Sequence, residues 1–284
     1  MSKAIMLIHC PDEKGIVLSV TEFIFRNNGN IVDLDQHVDL QKKIFFMRVE
    51  WELEGFNIPR LEIKKTFFEE VAKSFQMTFK VHYSDVPMKM ALMVSKMDHC
   101  FNDILSRYES GEWNIEIPLI ISNHLKLEES ARRYGIPYFY IPISKENKSA
   151  QELKQLKLLV DNKIDFIVLS RYMQILSDKF VGNYPNQIIN IHHSFLPAFP
   201  GAKPYHSAHE RGVKIIGATS HYVTADLDAG PIIDQNVLPV SHRDTIPDLV
   251  RKGRDVEKAV LSRAIWYHTN RRILSYENRT VIFA

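Results

Sequence analysis

The sequence has almost no cysteine. Cys10 and Cys100 are the only two in 284 residues. They are far apart and in no metal-ligand spacing, which excludes a disulfide framework and points to a reducing, cytoplasmic setting. Charge of one sign is also missing. Thirty-six basic against 34 acidic residues leave a net charge of +2, so there is no electrostatic footprint for nucleic acid or for an anionic membrane. No apolar run reaches the roughly 18 residues that a membrane-spanning helix needs. The first apolar run, residues 4–9, meets Pro11, Asp12 and Glu13 almost at once, as a first strand does and a signal peptide does not. Disorder is excluded by a hydrophobic content of 45% and a charged content of 25%, both ordinary for globular proteins. The length suits one large domain or two ordinary ones.

What is present falls into two patterns. In residues 1–84, strand-like runs at 4–9, 31–38, 44–52 and 78–82 alternate with helical periodicity at 16–28, where Ile16, Val20, Phe23 and Ile24 share a face, and at 58–75. The order β-α-β-β-α-β predicts a ferredoxin-like unit. Asp85, Val86 and Pro87 read as a linker. From 85 to 284 apolar strands at 90–95, 115–121, 138–141, 166–169 and 188–191 alternate with helices at 100–108, 125–134, 150–161 and 176–181. Runs at 215–223 and 231–240, a long helix at 246–270 and a terminal hairpin at 272–276 and 279–283 follow. Such alternation predicts an α/β domain with a doubly wound, mostly parallel, Rossmann-like sheet.

One more absence bears on function. The loop after the first strand of this domain, Ser95 to Cys100, contains no glycine. Glycines let a backbone approach a phosphate at a helix N-terminus, so a phosphorylated substrate held by this turn is disfavoured.

Chemistry-bearing residues concentrate between Asn190 and Asp228. That stretch holds five of the twelve histidines: His192, His193, His206, His209 and His221. It lies where two apolar strands end, the place where open α/β sheets bind ligands. Asn190 and His192 are two apart, so at an extended strand end their side chains point the same way. Two such donors aimed at one point stabilise a developing oxyanion, and a carboxylate, Asp228, orients the imidazole and handles protons. A strand-end histidine held by structural hydrogen bonds and a turn-forming Asp228 remain open as alternatives. So does a metal reading of the pairs His192–His193 and His206–His209, which the missing HExxH motif and the distant cysteines disfavour; the expectation is no metal.

Two resemblances sharpen this. Cys10 to Val17 and Asn28 to Val32 resemble an ACT domain. The resemblance implies a regulatory or oligomerising module with an amino-acid effector at Asp12, Lys14, Gly15, Asn28, Gly29 and Asn30. The same residues also suit plain turns and caps. In the second segment, Asn190, His192, Ser194, Pro197, Gly201, His206, Gly212, Gly217, Thr219, His221 and the run Leu227 to Ile233 resemble the formyltransferase family, which uses 10-formyltetrahydrofolate. Its catalytic Asn, His and Asp fall on Asn190, His192 and Asp228.

An ACT segment ahead of this domain resembles the formyltetrahydrofolate deformylases over the whole chain, with further matches at Ile121 to His124, Tyr172–Met173, Ala202 to Tyr205 and Arg251 to Arg263. His193 belongs to this pattern, where transformylases commonly have Pro. The resemblance implies hydrolysis of 10-formyltetrahydrofolate to tetrahydrofolate and formate, with the folate as substrate and no cofactor required. Tyr172, Met173, Leu176, His193, Ser194, Tyr205 and His206 are the implied substrate-binding residues, and His221 supports them from behind. Gln174 departs from the family, which usually has Arg there. The loop from Pro197 to Tyr205 either shapes the pocket or is a rigid surface turn. The implied partners are the folate and an amino-acid effector, with self-association as a dimer or tetramer. The alternatives are a transferase passing the formyl group to an amine and a non-catalytic amino-acid or folate sensor.

Overall fold

In chain order the first elements are β1 (Lys3–Pro11), α1 (Ile16–Arg26), β2 (Ile31–Asp39), β3 (Ile44–Glu52), α2 (Ile63–Phe67), which runs into a π-helical turn over Phe68–Ala72, and β4 (Thr78–Tyr83). The computed structural model describes residues 2–197 and 204–284. The four strands form an antiparallel sheet in the order β2-β3-β1-β4, with Ile8 of β1 opposite Met47 on one side and Phe79 on the other. Strand alternation puts Met6, Ile8, Met47, Val49 and Trp51 on one face, where they bury against Val20, Phe23 and Ile24 of α1 and Phe67 of α2. This is the expected βαββαβ unit. The second helix is shorter than its 58–75 periodicity suggests. Pro59 opens a turn closed by Glu62 N on Pro59 O at 2.8 Å, and Gln76 adopts a left-handed φ of 53° that ends the helical run.

The chain divides into two compact units. One comprises residues up to Pro87 with 270–276 and 281–284; the other comprises 88–269 and 277–280. In the first, Leu7 and Phe46 on the second face of the sheet pack against Leu274 and Phe283. Arg48 is buried there and donates to Asp33 and Glu50, both at 2.6 Å, and to the Arg271 carbonyl at 3.1 Å, so its charge is fully paired.

His82 of β4 makes the first unit acid-sensitive. Burial, then the charges of Arg271 and Lys80, push its pKa down to about 3. The unfolded chain takes up this proton near pH 6.5 while the folded chain stays neutral to about 3. The stability is therefore complete above about 6.5 and is lost as pH falls toward 3, at up to about 1.4 kcal/mol per pH unit. Urea unfolding followed from pH 7 to pH 5 should show this loss, and His82→Gln should flatten it. An unchanged slope in that variant would assign the sensitivity elsewhere.

The second unit contains β5 (Met88–Val94), α3 (His99–Glu109), β6 (Ile115–Ser122), α4 (Glu128–Arg133), β7 (Tyr138–Tyr140), α5 (Lys148–Asp161), β8 (Phe166–Ser170), α6 (Asp178–Val181), β9 (Ile188–His192), α7 (Pro204–Arg211), β10 (Ile215–Tyr222), β11 (Ile232–Pro239) and α8 (Ile246–Thr269). Its seven-stranded sheet runs β11-β10-β9-β8-β5-β6-β7. Pairs from β7 through β9 are parallel, while β10 is antiparallel to both β9 and β11. The mostly parallel expectation holds, with an antiparallel edge added. From β5 the chain builds one way through β6 and β7, then returns to build the other way through β8 and β9. The loops leaving β5 and β8 therefore diverge, which opens a crevice at their carboxyl ends. The central strands are apolar along their length because both faces are covered: Met90 to Val94 and Phe166 to Leu169 are all buried.

Helix α7 is a difference from the sequence reading, which has a loop to Tyr205 and no helix after it. Tyr205 and Ala208 are its buried apolar residues, too few to show a helical period. Gly201, Ala202 and Lys203, and most of the loop from Pro197 to Tyr205, lie outside the described residues. The terminal hairpin, β12 (Ile273–Tyr276) and β13 (Arg279–Ile282), forms as expected around Glu277 and Asn278. Among the described residues no helix is long and apolar enough to cross a membrane.

Candidate active site

The last residues of β9 carry the site. Asn190 and His192 alternate with the apolar Ile189 and Ile191, and both line a cavity of about 300 Å3. The loop after β8, Arg171 to Leu176, forms a second wall, and the loop from Val223 to Asp228 after β10 forms a third. The antiparallel register sets His221 of β10 directly opposite Asn190. Asn190 Nδ2 stands 3.2 Å from His221 Nε2. His221 Nδ1 faces the Tyr222 carbonyl at 2.9 Å, which fixes Nδ1 as the protonated nitrogen.

Asp228 joins both histidines. Its Oδ2 lies 3.2 Å from His192 Nδ1 and its Oδ1 lies 3.6 Å from His221 Nε2. Its backbone is left-handed, with φ 54°, a conformation that Asp and Asn tolerate better than most residues. The hydrogen bond from His192 outweighs burial and holds its carboxyl well below the usual carboxylate range. His192 is buried, and among the described residues its Nε2 has no hydrogen-bond partner. With Nδ1 committed to Asp228, Nε2 is the nitrogen left to meet a ligand. A neutral donor, an imidazole backed by a carboxylate, and space beside them are the elements of acyl-group hydrolysis or transfer.

The loop Arg171 to Leu176 is held from behind. Met173 N donates to Ser95 Oγ at 3.0 Å, and Ser95 Oγ donates to Asn123 Oδ1 at 2.7 Å. The Tyr172 hydroxyl accepts from Gln155 Nε2 at 3.0 Å, and burial pushes the phenol up to about 12. The glycine-free turn after β5 thus supplies Ser95 to fix the wall of the cavity.

Residues 88–265 match the family described as formyl transferase. A formyltetrahydrofolate deformylase of Synechocystis is 55% identical over 99% of this chain and 98% of its own length. The chain belongs to the formyltetrahydrofolate deformylase family. The Bacillus subtilis deformylase is 43% identical over 99% of this chain and 94% of its own. The crystal structure of a deformylase from Pseudomonas syringae superposes with a TM-score of 0.97 at 42% identity, covering 100% of this chain and 95% of that one.

Set against this deformylase fold, the expected site residues separate. Asn190, His192, His193, Asp228, Tyr172, Met173 and Leu176 all line the cavity, and so does Gln174. His221, expected behind the site, lines it too and touches Asn190 and Asp228 directly. Ser194, Tyr205 and His206 are not brought to it. Ser194 is buried, and its carbonyl accepts from Thr219 Oγ1 at 2.9 Å. Tyr205 is buried with its ring edge against His193, 5.9 Å between centroids. His206, one position on in α7, turns about 100° away and is exposed, as is His209.

Sequence reasoning missed two groups. Arg171 lines the cavity with φ 56°, and Glu257 of α8 is only 1% exposed. The signal for Glu257 was a carboxylate on the apolar stripe of α8, one turn after Gly253 and beside Val256, Val260 and Leu261. Among the described residues, His99, Cys100 and Glu257 bring possible metal-ligating atoms within 4.8 Å of one another. The Arg171 Nε stands 3.5 Å from the same carboxylate, so a cation there meets a positive charge already in place.

In the first unit, Asp12 and Lys14 are exposed in the β1–α1 loop, and Gly15 takes φ 97°. Asn28 donates to the Gly55 carbonyl at 2.9 Å and Asn30 to Glu52 at 2.8 Å. A Cβ on Gly29 would meet Ile24 Cγ2 at 2.6 Å. The two stretches flank α1, whose 11 residues span about 16 Å, so a single chain does not bring them together.

Proposed function

We infer that this chain hydrolyses 10-formyltetrahydrofolate to tetrahydrofolate and formate, with Asn190, His192 and Asp228 as the reacting groups. The observation that carries the reading is His192: its Nδ1 faces Asp228 at 3.2 Å while its buried Nε2 has no partner among the described residues beside a cavity lined by Asn190. The folate's bicyclic ring enters the cavity between the Tyr172–Leu176 loop and the Val223–Asp228 loop. Its formyl oxygen accepts from Asn190 Nδ2 and His192 Nε2. Water attacks the formyl carbon, and the oxyanion of the tetrahedral intermediate draws on both donors. The attacking water becomes acidic only as its bond to carbon forms. A carboxylate as weakly basic as Asp228 can therefore take the proton. Collapse breaks the carbon–nitrogen bond, N10 gains a proton, and formate leaves.

His193 stands beside the reacting His192, 5.4 Å between ring centroids, and borders the side from which water attacks. Gln174 offers an amide where formyltransferases usually carry a guanidinium, so this edge of the pocket binds without a charge. No cofactor enters the scheme. Free, buried Cys10 and Cys100 suit a cytoplasmic enzyme. The first unit is read as a regulatory and oligomerising module that takes a free amino acid at Asp12 to Gly15 and Asn28 to Asn30.

The test uses the purified chain with 10-formyltetrahydrofolate and no acceptor amine. Formate should appear in equal amount with tetrahydrofolate. Formate-free turnover that requires an added amine would make the chain a transferase instead. Repeating the assay across a panel of free amino acids reads the first unit; rates unchanged by every one would leave it a purely structural role.

A further inference from the structure

Glu257 is a buried carboxylate that the chemistry above does not use. It sits on α8 with three partners. Tyr205 donates its hydroxyl to Oε1 at 2.7 Å, His99 Nε2 lies 2.8 Å from Oε2, and Arg171 Nε stands 3.5 Å from the same oxygen. Two of the three lead back to the active site. Tyr205 sets its ring edge against His193, whose ring lies beside His192. Arg171 opens the loop that carries Tyr172, Met173 and Leu176, and it lines the cavity itself.

We propose that Glu257 is a positioning residue of the hydrolytic site, holding Tyr205 against His193 and Arg171 at the head of the 171–176 loop. The proposal rests on the Asn190–His192–Asp228 reading of the chemistry. Gly253, one helical turn before Glu257, belongs to the same device. A Cβ there would fall 2.0 Å from the Tyr205 hydroxyl and 2.3 Å from Cζ. Glycine in a helix interior is unfavourable, and here its bare surface is what lets the tyrosine ring lie on α8 and reach Glu257. Burial would raise the Glu257 pKa, but the His99 hydrogen bond, the Arg171 charge and the Tyr205 hydroxyl hold it below the ordinary value. The carboxylate therefore stays ionised and keeps accepting from Tyr205, whose phenol burial pushes well up. Arg171 holds a left-handed φ of 56°, a strained setting for a long side chain that persists only where surrounding contacts impose it.

The two arms act on different steps. The Tyr205 arm bears on the histidine pair and so on turnover. The Arg171 arm bears on the folate-facing loop and so on binding.

The experiment measures kcat and KM for 10-formyltetrahydrofolate on full-length variants, together with the thermal unfolding midpoint. Gly253→Ala adds one methyl, favours the helix and displaces Tyr205, so kcat should fall about tenfold with KM within about twofold, the helix gain offsetting part of the overpacking cost in the midpoint. Glu257→Gln keeps the shape and removes the charge, so kcat should fall and KM rise, each by about threefold or more. Gly253→Ala should add nothing to the loss caused by His193→Ala, because both act through the same ring. Should Gly253→Ala lower the midpoint, Tyr205→Phe, which adds no atoms, replaces it with the same expected loss in kcat. Wild-type kcat in Tyr205→Phe and in folded Gly253→Ala overturns the proposal, as do losses that multiply with His193→Ala. Asn190→Ala run alongside separates the two failures. If it is inactive while the Glu257-side variants turn over normally, only the positioning role falls. If it keeps full turnover, the catalytic reading falls with it.

Discussion

Asn190→Ala should lower kcat by about 10²–10³ and leave KM nearly unchanged, the cost of one oxyanion donor. The ground-state formyl oxygen is a neutral amide acceptor, and water replaces a lost hydrogen bond to it at little cost. The tetrahedral oxyanion is charged and sits beside the buried His192 and the half-buried Asn190, where a missing donor is expensive. The amide nitrogen of Asn190 is held by His221 Nε2 at 3.2 Å, and the opposite ring nitrogen of His221 is tied to the Tyr222 carbonyl at 2.9 Å. That chain fixes the plane of the amide before substrate arrives. Steady-state hydrolysis with the substrate varied around KM separates the two constants. A variant with near-normal kcat would remove Asn190 from the reacting groups, and one with a raised KM alone would make it a binding residue only.

The same chain of contacts marks what a sequence can disclose. Asn190 and His192 were legible as a pair because a strand's two-residue period is local. His221 was not legible as their neighbour, because its place opposite Asn190 depends on β10 running antiparallel to β9, and periodicity carries no strand direction. The parallel strands themselves were readable from unbroken apolar runs such as Leu119 to Ile121, all fully buried. Helix α7 was not readable, since a short helix with two inward apolar residues makes no stripe. His206 looked like a pocket residue on its motif alone, and one step of helical rotation takes it into solvent. The two effector stretches lie at opposite ends of α1, as the helical periodicity at 16–28 places them. Glu257 shows the reverse case: it broke the apolar pattern of α8, and such a break is worth following to its partners.

Asp228→Asn should cost more than the loss of one donor, on the order of 10³–10⁴ in kcat, as for other carboxylates that orient a catalytic imidazole. The substitution suits the backbone, because Asn accepts the left-handed φ of 54° at least as well as Asp, so the loop from Val223 to Asp228 keeps its course. What changes is charge. A carboxylate 3.2 Å from His192 Nδ1 accepts a hydrogen bond from that nitrogen and sets a negative charge behind the ring that faces the oxyanion. A neutral amide presents either an oxygen or an NH2 group to Nδ1, and neither supplies that charge. The oxyanion then faces a weaker donor, and the attacking water loses its proton acceptor in the same substitution. Folate binding through Tyr172, Met173 and Leu176 is untouched, so KM should stay within about threefold. The pH profile gives an independent check. Asp228 is active when deprotonated, and its hydrogen bond from His192 depresses its pKa. As pH falls, its contribution to kcat/KM should therefore persist through the ordinary carboxylate range near 4 and disappear only below it. An acid limb centred near 4 that vanishes in Asp228→Asn would mean that the carboxylate titrates normally in the free enzyme, and that the His192–Asp228 pair does not hold before substrate binds.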